Sequence, residues 1–200
     1  ENSSSVTTVQ ASVPAERAPA SYHLSGGADQ ARFTIDPTSG ALRFISAPDF
    51  ERPQDLGDTA ANNTYVVQVT ASDTQGGSDA QTLTVRVSNV NEAPVITSGA
   101  SAAIASNSPA GTLVYQATAS DPDAGDTLTY SLSGTDASLL SVNPATGAVT
   151  LKAAADINTQ PGYSFSVVAT DKGGLADSKA ITVQVNAVLP EDTSTIAPTL

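Results

Sequence analysis

The chain has 200 residues, 20 acidic against 8 basic, for a net charge of −12. That length suits two compact domains of about 100 residues each, and the scarcity of Lys and Arg excludes nucleic acid as a partner. Cysteine is absent, which rules out a disulfide scaffold and thiol-ligated metal; no apolar run approaches the roughly 20 residues of a membrane span. No signal-peptide pattern opens the sequence, so the fragment is expected to start downstream of any targeting segment.

Strand signals follow in chain order as short alternating runs broken by Gly, Asp, Asn and Pro. Tyr22 to Gly26 carries the only histidine, His23. Ile35 to Phe44 comes next, then Tyr65 to Thr70 and Thr82 to Val87. A short, stiff segment, Asn89-Val90-Asn91-Glu92-Ala93-Pro94, follows, in which Pro94 ends strand pairing and biases Ala93 toward extension. Beyond it come Leu113 to Ala119, Tyr130 to Gly134, Val142 to Leu151, Tyr163 to Ala169 and Ala180 to Val185. No stretch has a helical period with caps. Many short strands with frequent turns predict an all-β chain of sandwich architecture.

The runs repeat. Tyr65 to Val90 lies over Tyr163 to Val188 at an offset of 98, and Ile35 to Phe44 over Val142 to Leu151 at 107. The offset changes across one loop, Arg52 to Thr64, which is longer than its counterpart at Thr159 to Gly162. Shared order with length change confined to a loop is the mark of a duplicated domain. The expected organisation is residues 1–93 as domain one, 94–189 as domain two and 190–200 as a linker tail.

The acids fall at particular places. Glu1-Asn2 opens the chain, Asp49-Phe50-Glu51 follows the strand ending near Ile45, and Asp121-Pro122-Asp123-Ala124-Gly125-Asp126 follows the strand from Leu113. Asp171 ends the strand from Tyr163. In an extended Asp-x-Glu both carboxylates point the same way. Asp and Asn also favour turns by bonding their own backbone, so no single acid is diagnostic. The set is, because Ca²⁺ takes six to eight hard oxygens that scattered acids at one pole of a sandwich can supply.

Glu-Asn, Asp-x-Glu, an Asn-rich linker closed by Pro, Asp-x-Asp and a final Ala-x-Asp stand in the order of cadherin repeats, and the chain resembles that family over nearly its whole length. The linker is similar to those of bacterial cadherin-like and RTX-adhesin repeats. The resemblance implies two tandem seven-stranded Greek-key sandwiches with two to three Ca²⁺ at the interdomain junction. It assigns Glu1, Asp49 and Glu51 to the lower pole of domain one; Asn91 and Glu92, with the backbone of Asn89, to the linker; and Asp121, Asp123 and Asp171, with a carbonyl near Asp126, to the upper pole of domain two. It implies a calcium-binding module of a secreted or cell-surface adhesin with a membrane-anchored parent. Its partners would be neighbouring domains of the same adhesin, with homophilic or glycan contacts. The sequence departs from the pattern elsewhere. Ser106 matches Glu1, Asp156-Ile157-Asn158 replaces Asp-x-Glu, and Val188-Leu189-Pro190 lacks linker ligands. Pro14-Ala15-Glu16-Arg17-Ala18 lacks an Asp pair, which leaves Asp73 without partners, and the first strand of domain one is expected to be missing.

Catalysis is not expected. His23 reads as a strand residue, no Cys nucleophile exists, and the serines have no base beside them. A carbohydrate-binding module is one alternative, but sugar platforms need exposed aromatics and only Phe50 and Tyr115 fall outside the expected core. A passive spacer in a long stalk is the other.

Overall fold

The computed structural model describes residues 1–188 other than Val13, Ala18, Pro19 and Asp58. The tail expected as a linker at 190–200, and Leu189 before it, lie outside the described residues. The chain divides into two compact units, the first Glu1–Val90 and the second beginning at Asn91, three residues before the boundary expected from Pro94.

Among the described residues the first unit has six strands: β1 (Ser5–Thr8), β2 (Ser21–Gly26), β3 (Phe33–Ile35), β4 (Ala41–Phe44), β5 (Thr64–Ser72) and β6 (Ser78–Arg86). They form two antiparallel sheets, in orders β1-β4-β3 and β2-β5-β6. The pleat decides which side chains are buried. Along β5 the alternate residues Tyr65, Val67 and Val69 are buried while Val66 and Gln68 are half-exposed, the period-2 pattern of a strand with one face on a core. From the other sheet Phe33, Leu42 and Phe44 meet them. With no tryptophan available, three aromatic rings supply the bulk. Phe33 stacks on Phe44 at 4.5 Å, and Tyr65 stands edge-on to Phe44 at 5.1 Å, an arrangement that adds roughly 1 kcal/mol per pair beyond area burial.

The second unit repeats this order and adds to it: β7 (Val95–Ile96), β8 (Ser101–Ala105), β9 (Leu113–Gln116), β10 (Ala119–Ser120), β11 (Thr129–Ser133), β12 (Leu140–Val142), β13 (Ala148–Leu151), β14 (Gly162–Thr170) and β15 (Ala176–Asn186). Its sheets run β11-β14-β15-β8 and β12-β13-β9, with a short β10-β7 ribbon. β8 pairs in parallel with β15, covering that edge. The expected single strand from Leu113 to Ala119 is split, because Ala117 and Thr118 leave the ladder. Counting β7 with β8 and β9 with β10 as interrupted strands gives the expected seven. The first unit has six, because among the described residues nothing corresponds to β7 and β8. β6 accordingly pairs on one side alone.

Equivalent turns pin the two units to one register. In each, a strand of the smaller sheet ends on a glycine carbonyl: Val9 N donates to Gly40 O at 2.9 Å and Ala117 N to Gly147 O at 3.0 Å. Gly147 has φ +71°, and a Cβ there would lie 2.6 Å from Ala117 O, so only glycine fits this approach. The long loop 52–63 is organised by Asp55, whose Oδ1 accepts the Asn63 amide at 3.0 Å.

Candidate metal centre

Two groups of carboxylates gather, one in each unit. In the first, the chain leaves β4 and turns through Pro48 to Asp49-Phe50-Glu51. The Phe50 ring packs on the core, fixing the segment, and the Phe50 amide donates to Glu1 Oε2 at 2.7 Å. Glu1 Oε1 accepts the Val90 amide at 2.7 Å. Asn2 makes this reach possible by adopting φ 60°, a left-handed conformation that Asn tolerates better than most residues. One oxygen from each of Glu1, Asp49 and Glu51 lies within 4.8 Å of the others. The expectation that Asp49 and Glu51 share a side is met.

In the second unit, Asp121, Asp126 and Asp171 form another trio, at the pole of the repeat that Glu1 and Asp49 do not occupy in the first, again with oxygens within 4.8 Å of one another. The 121–126 loop lies between β10 and β11, and Asp171 ends β14. The linker residues belong to this pole: Asn91 Nδ2 donates to Asp171 Oδ2 at 2.8 Å, and the Glu92 amide to Asp123 Oδ2 at 2.8 Å. A Cβ at Gly173 would fall 2.5 Å from Asn91 Oδ1, so glycine is what lets Asn91 reach Asp171. Asp123 is buried, and its amide donates to Asp121 Oδ1 at 2.9 Å. Asn89 is exposed. Asp126 was expected to offer only a backbone carbonyl; its side chain is instead in the trio.

The electrostatics of the second pole are unbalanced. Burial pushes the Asp121 carboxyl up, a bond from the Asp123 amide pulls against it, and the charges of Asp126, Asp123 and Asp171 push it further. Burial also raises Asp171, but hydrogen bonds from Asn91 and from the amides of Leu175, Gly174 and Gly173 outweigh it and leave the group low. Asp121 Oδ2 and Asp123 Oδ1 are buried and accept no hydrogen bond. No Lys or Arg among the described residues forms an ion pair with Asp121, Asp123, Asp126 or Asp171. A buried, unpaired acceptor costs about 1–3 kcal/mol, more when charged, so this arrangement fits a hard cation brought from solution. An all-oxygen donor set suits Ca²⁺, and the sole histidine is exposed on β2, away from either trio.

The other poles are built differently. Ser106 Oγ accepts the Ile157 amide at 3.1 Å, doing what Glu1 does for Phe50 with one oxygen and no remaining charge. Asp156 Oδ1 is engaged by the amide and side chain of Asn158. Asp73, expected to lack acidic partners for a metal site, is held instead by three donors: the amides of Gln75 and Gly77 on Oδ1, and Arg17 Nη1 at 3.2 Å from Oδ2. The Gly77 amide is the first cause of a lowered Asp73 carboxyl; burial opposes it, while the Gln75 amide and Arg17 reinforce it.

Sequence reading missed the residues that hold the first trio's loop. Asn63 sits at φ 61° and donates from Nδ2 to Phe50 O at 2.8 Å. Asp29, fully buried, clamps the amides of Leu56 and Val66 at 2.6 and 2.7 Å. The equivalence of Asp29 with Asp136, which bonds the Ser164 amide, was the available signal. The aromatic alternatives also close: Tyr115 is buried, its hydroxyl donating to Ser98 Oγ at 2.7 Å, and Phe50 is half-buried against the core.

Two β-sandwiches in tandem, each carrying a carboxylate trio at a loop pole, define a class of duplicated β-repeat, and the comparisons name it. Residues 100–187 match the Cadherin domain family. The protocadherin-like wing polarity protein stan of Drosophila melanogaster is 30% identical over 195 residues, 92% of this chain, and human protocadherin-16 is 33% identical over 188 residues. The chain spans about 5% of the length of these relatives. Among solved structures, mouse cadherin-23 EC22-24 is 28% identical with a TM-score of 0.55, covering 84% of this chain and 53% of that one. Human protocadherin-24 EC1-2 has a TM-score of 0.58 at 23% identity, over 88% of this chain and 85% of that one, and shows the fold. The chain is cadherin-like in fold, and its second unit is similar to the Cadherin domain. No catalytic family is indicated.

Proposed function

We propose that the chain is a calcium-binding tandem of an extracellular or cell-surface adhesion protein, in which two to three Ca²⁺ shared by both units stiffen the junction. The observation that carries this is chain connectivity. Glu1, in the first trio, holds the amide of Val90. The next two residues, Asn91 and Glu92, hold Asp171 and Asp123 of the second pole. Each cluster is therefore tied to the backbone on its own side of one peptide bond. Glu1, Asp49 and Glu51 would offer oxygens from the first unit; Asn89, Asn91 and Glu92 from the linker; Asp121, Asp123, Asp126 and Asp171 from the second. Bound Ca²⁺ supplies the countercharge that the buried carboxylate oxygens lack.

Extracellular modules of this kind bind with Kd of roughly 10⁻⁴ to 10⁻³ M, so the sites fill outside cells and empty in cytosol. Small-angle scattering with Ca²⁺ and with EDTA tests the proposal: the expected result is a narrower distribution of interdomain distances in Ca²⁺. Identical profiles would refute shared ions. Sedimentation under the same two conditions separates an adhesive role, which predicts Ca²⁺-dependent self-association, from a spacer that stays monomeric. The bacterial-adhesin setting and glycan contacts belong to this proposal as well; a glycan array tests the latter, and the buried aromatics direct any sugar contact to polar groups.

A further inference from the structure

The loop pole of the first unit that carries Arg17 and residues 73–77 is the internal counterpart of the proposed metal pole of the second. The correspondence is fixed at both ends by matching hydrogen bonds. Val9 and Ala117 donate to Gly40 and Gly147, and further on Tyr22 donates to Pro37 O at 3.0 Å while Tyr130 donates to Pro144 O at 2.9 Å. The segment between is the same length in each unit, so in sequence Val13-Pro14-Ala15-Glu16-Arg17-Ala18 aligns with Asp121-Pro122-Asp123-Ala124-Gly125-Asp126. The proline is retained, all three acids are replaced by apolar residues, and an arginine takes the glycine's place.

One acid of the constellation survives. Asp73 matches Asp171, and the two turns close alike: Asp73 N donates to Gly77 O at 2.8 Å, and Asp171 N to Leu175 O at 3.0 Å. In both, Oδ1 accepts the amide four residues on, at 2.8 Å. The difference is at Oδ2, which meets Arg17 Nη1 in the first unit and Asn91 Nδ2 in the second. The Asp73 side chain is 7% exposed, so the guanidinium meets a carboxylate largely shielded from water. Thr74 Oγ1 donates to Arg17 O at 3.3 Å, tying the two loops by a second contact.

We propose that Arg17 is a built-in cation that does at this pole what a metal does at the other, so that the pole is ordered without Ca²⁺ and does not bind it. A guanidinium supplies positive charge and directed N–H donors from within the chain, and of the four carboxylates that stand at the second unit's pole only the equivalent of Asp171 remains here for it to meet; Glu16, at the position of Ala124, is exposed to water. Any domain meeting this pole would do so without a metal-filled junction. This rests on the internal comparison alone and stands whether or not the second pole binds Ca²⁺.

The test uses the whole chain, with the backbone amides of Gln75 and Gly77 as NMR reporters, since both donate to Asp73 Oδ1. In the wild type, CaCl₂ titration is expected to leave both resonances in place. In R17Q, without Ca²⁺, both should shift and the thermal midpoint of the first unit should fall by up to about 5 °C, as loss of a partly exposed charge pair implies; added Ca²⁺ should not restore it. The fivefold variant V13D/A15D/E16A/R17G/A18D, which copies the second unit's loop, should acquire a saturable Ca²⁺-dependent shift at Gly77. A saturable Ca²⁺ response at Gly77 in the wild type would overturn the proposal. So would R17Q that matches the wild type in both reporters and midpoint, a result that decides the matter even where the fivefold variant fails to fold.

Discussion

Replacing Asp121 by Asn should have opposite effects on stability with and without Ca²⁺. Asp121 Oδ1 accepts the Asp123 amide, which an Asn Oδ1 accepts equally, and Oδ2, which has no partner, becomes an NH₂ beside carboxylates. Without metal, the charged side chain has two like neighbours, Asp126 and Asp171, with oxygens no farther than 4.8 Å. At that distance each pair costs about 0.9 kcal/mol at the dielectric of water and more where water is excluded. Screening trims this, so D121N should gain about 1–2 kcal/mol in EDTA, raising the second unit's midpoint by about 5–10 °C. In 10 mM Ca²⁺, a site of Kd about 10⁻⁴ M stabilises the wild type by about 2.7 kcal/mol. A hundredfold loss of affinity would leave about 0.4 kcal/mol of that. Subtracting the relief of repulsion, D121N should be about 1 kcal/mol less stable than wild type in Ca²⁺. Calorimetry of the 200-residue chain in both buffers reads both numbers. Equal destabilisation in the two would show that Asp121 is an ordinary turn acid, and the metal argument at this pole would fail.

Three further outcomes are expected. Asp36 Oδ1 accepts the amides of Ser39 and Thr38 and the Ser39 hydroxyl, and Ser39's amide is the first cause of its lowered carboxyl pKa. A lowered folded pKa gives stability that is present above the unfolded value of about 3.9 and is lost as pH falls through the folded one. D36N, which reproduces Asn143 of the second unit, should flatten the acid limb of the first unit's melting curve below pH ~4, and an unchanged limb would argue against it. G147A forces a left-handed alanine with its Cβ on Ala117 O and should cost roughly 3 kcal/mol or more, seen as a fall above 10 °C in the second unit alone. N63G keeps the left-handed turn but removes the bond to Phe50 O, so its Ca²⁺-induced stabilisation should shrink while the fold persists by circular dichroism; a full Ca²⁺ response would remove Asn63 from any part in the site.

Much of this architecture could be read from the chain because β-structure writes its pleat directly into residue order. Tyr65-Val66-Val67-Gln68-Val69 alternates in the sequence and in burial. Asp49, Glu51, Asp121 and Asp171 were legible because each follows the end of a strand that the duplication locates twice. What was not legible depends on where a turn aims a side chain. Asp126 and its neighbours look alike in sequence, and only the loop's course brings its carboxylate beside Asp121 and Asp171. Arg17 and Asp73 are 56 residues apart, so their pairing needs the folded loops. Asn63 belongs to a loop with no counterpart of equal length, so the repeat could not single it out. The unit boundary fell three residues early because Asn91 and Glu92 are held by the second unit's acids, a tie that Pro94 does not announce.

The outer edge of β6 bears on how the 200-residue chain, taken alone, behaves when concentrated. β15 has its outer backbone groups occupied by β8, whereas among the described residues β6 has a neighbour on one side only, which leaves its outer backbone groups able to template another strand. Two charged side chains, Asp79 near one end and Arg86 at the other, are what this strand carries to discourage such stacking. In the 200-residue chain, taken alone, association in storage should therefore begin at the first unit, and a single added lysine midway along that strand is the place to intervene.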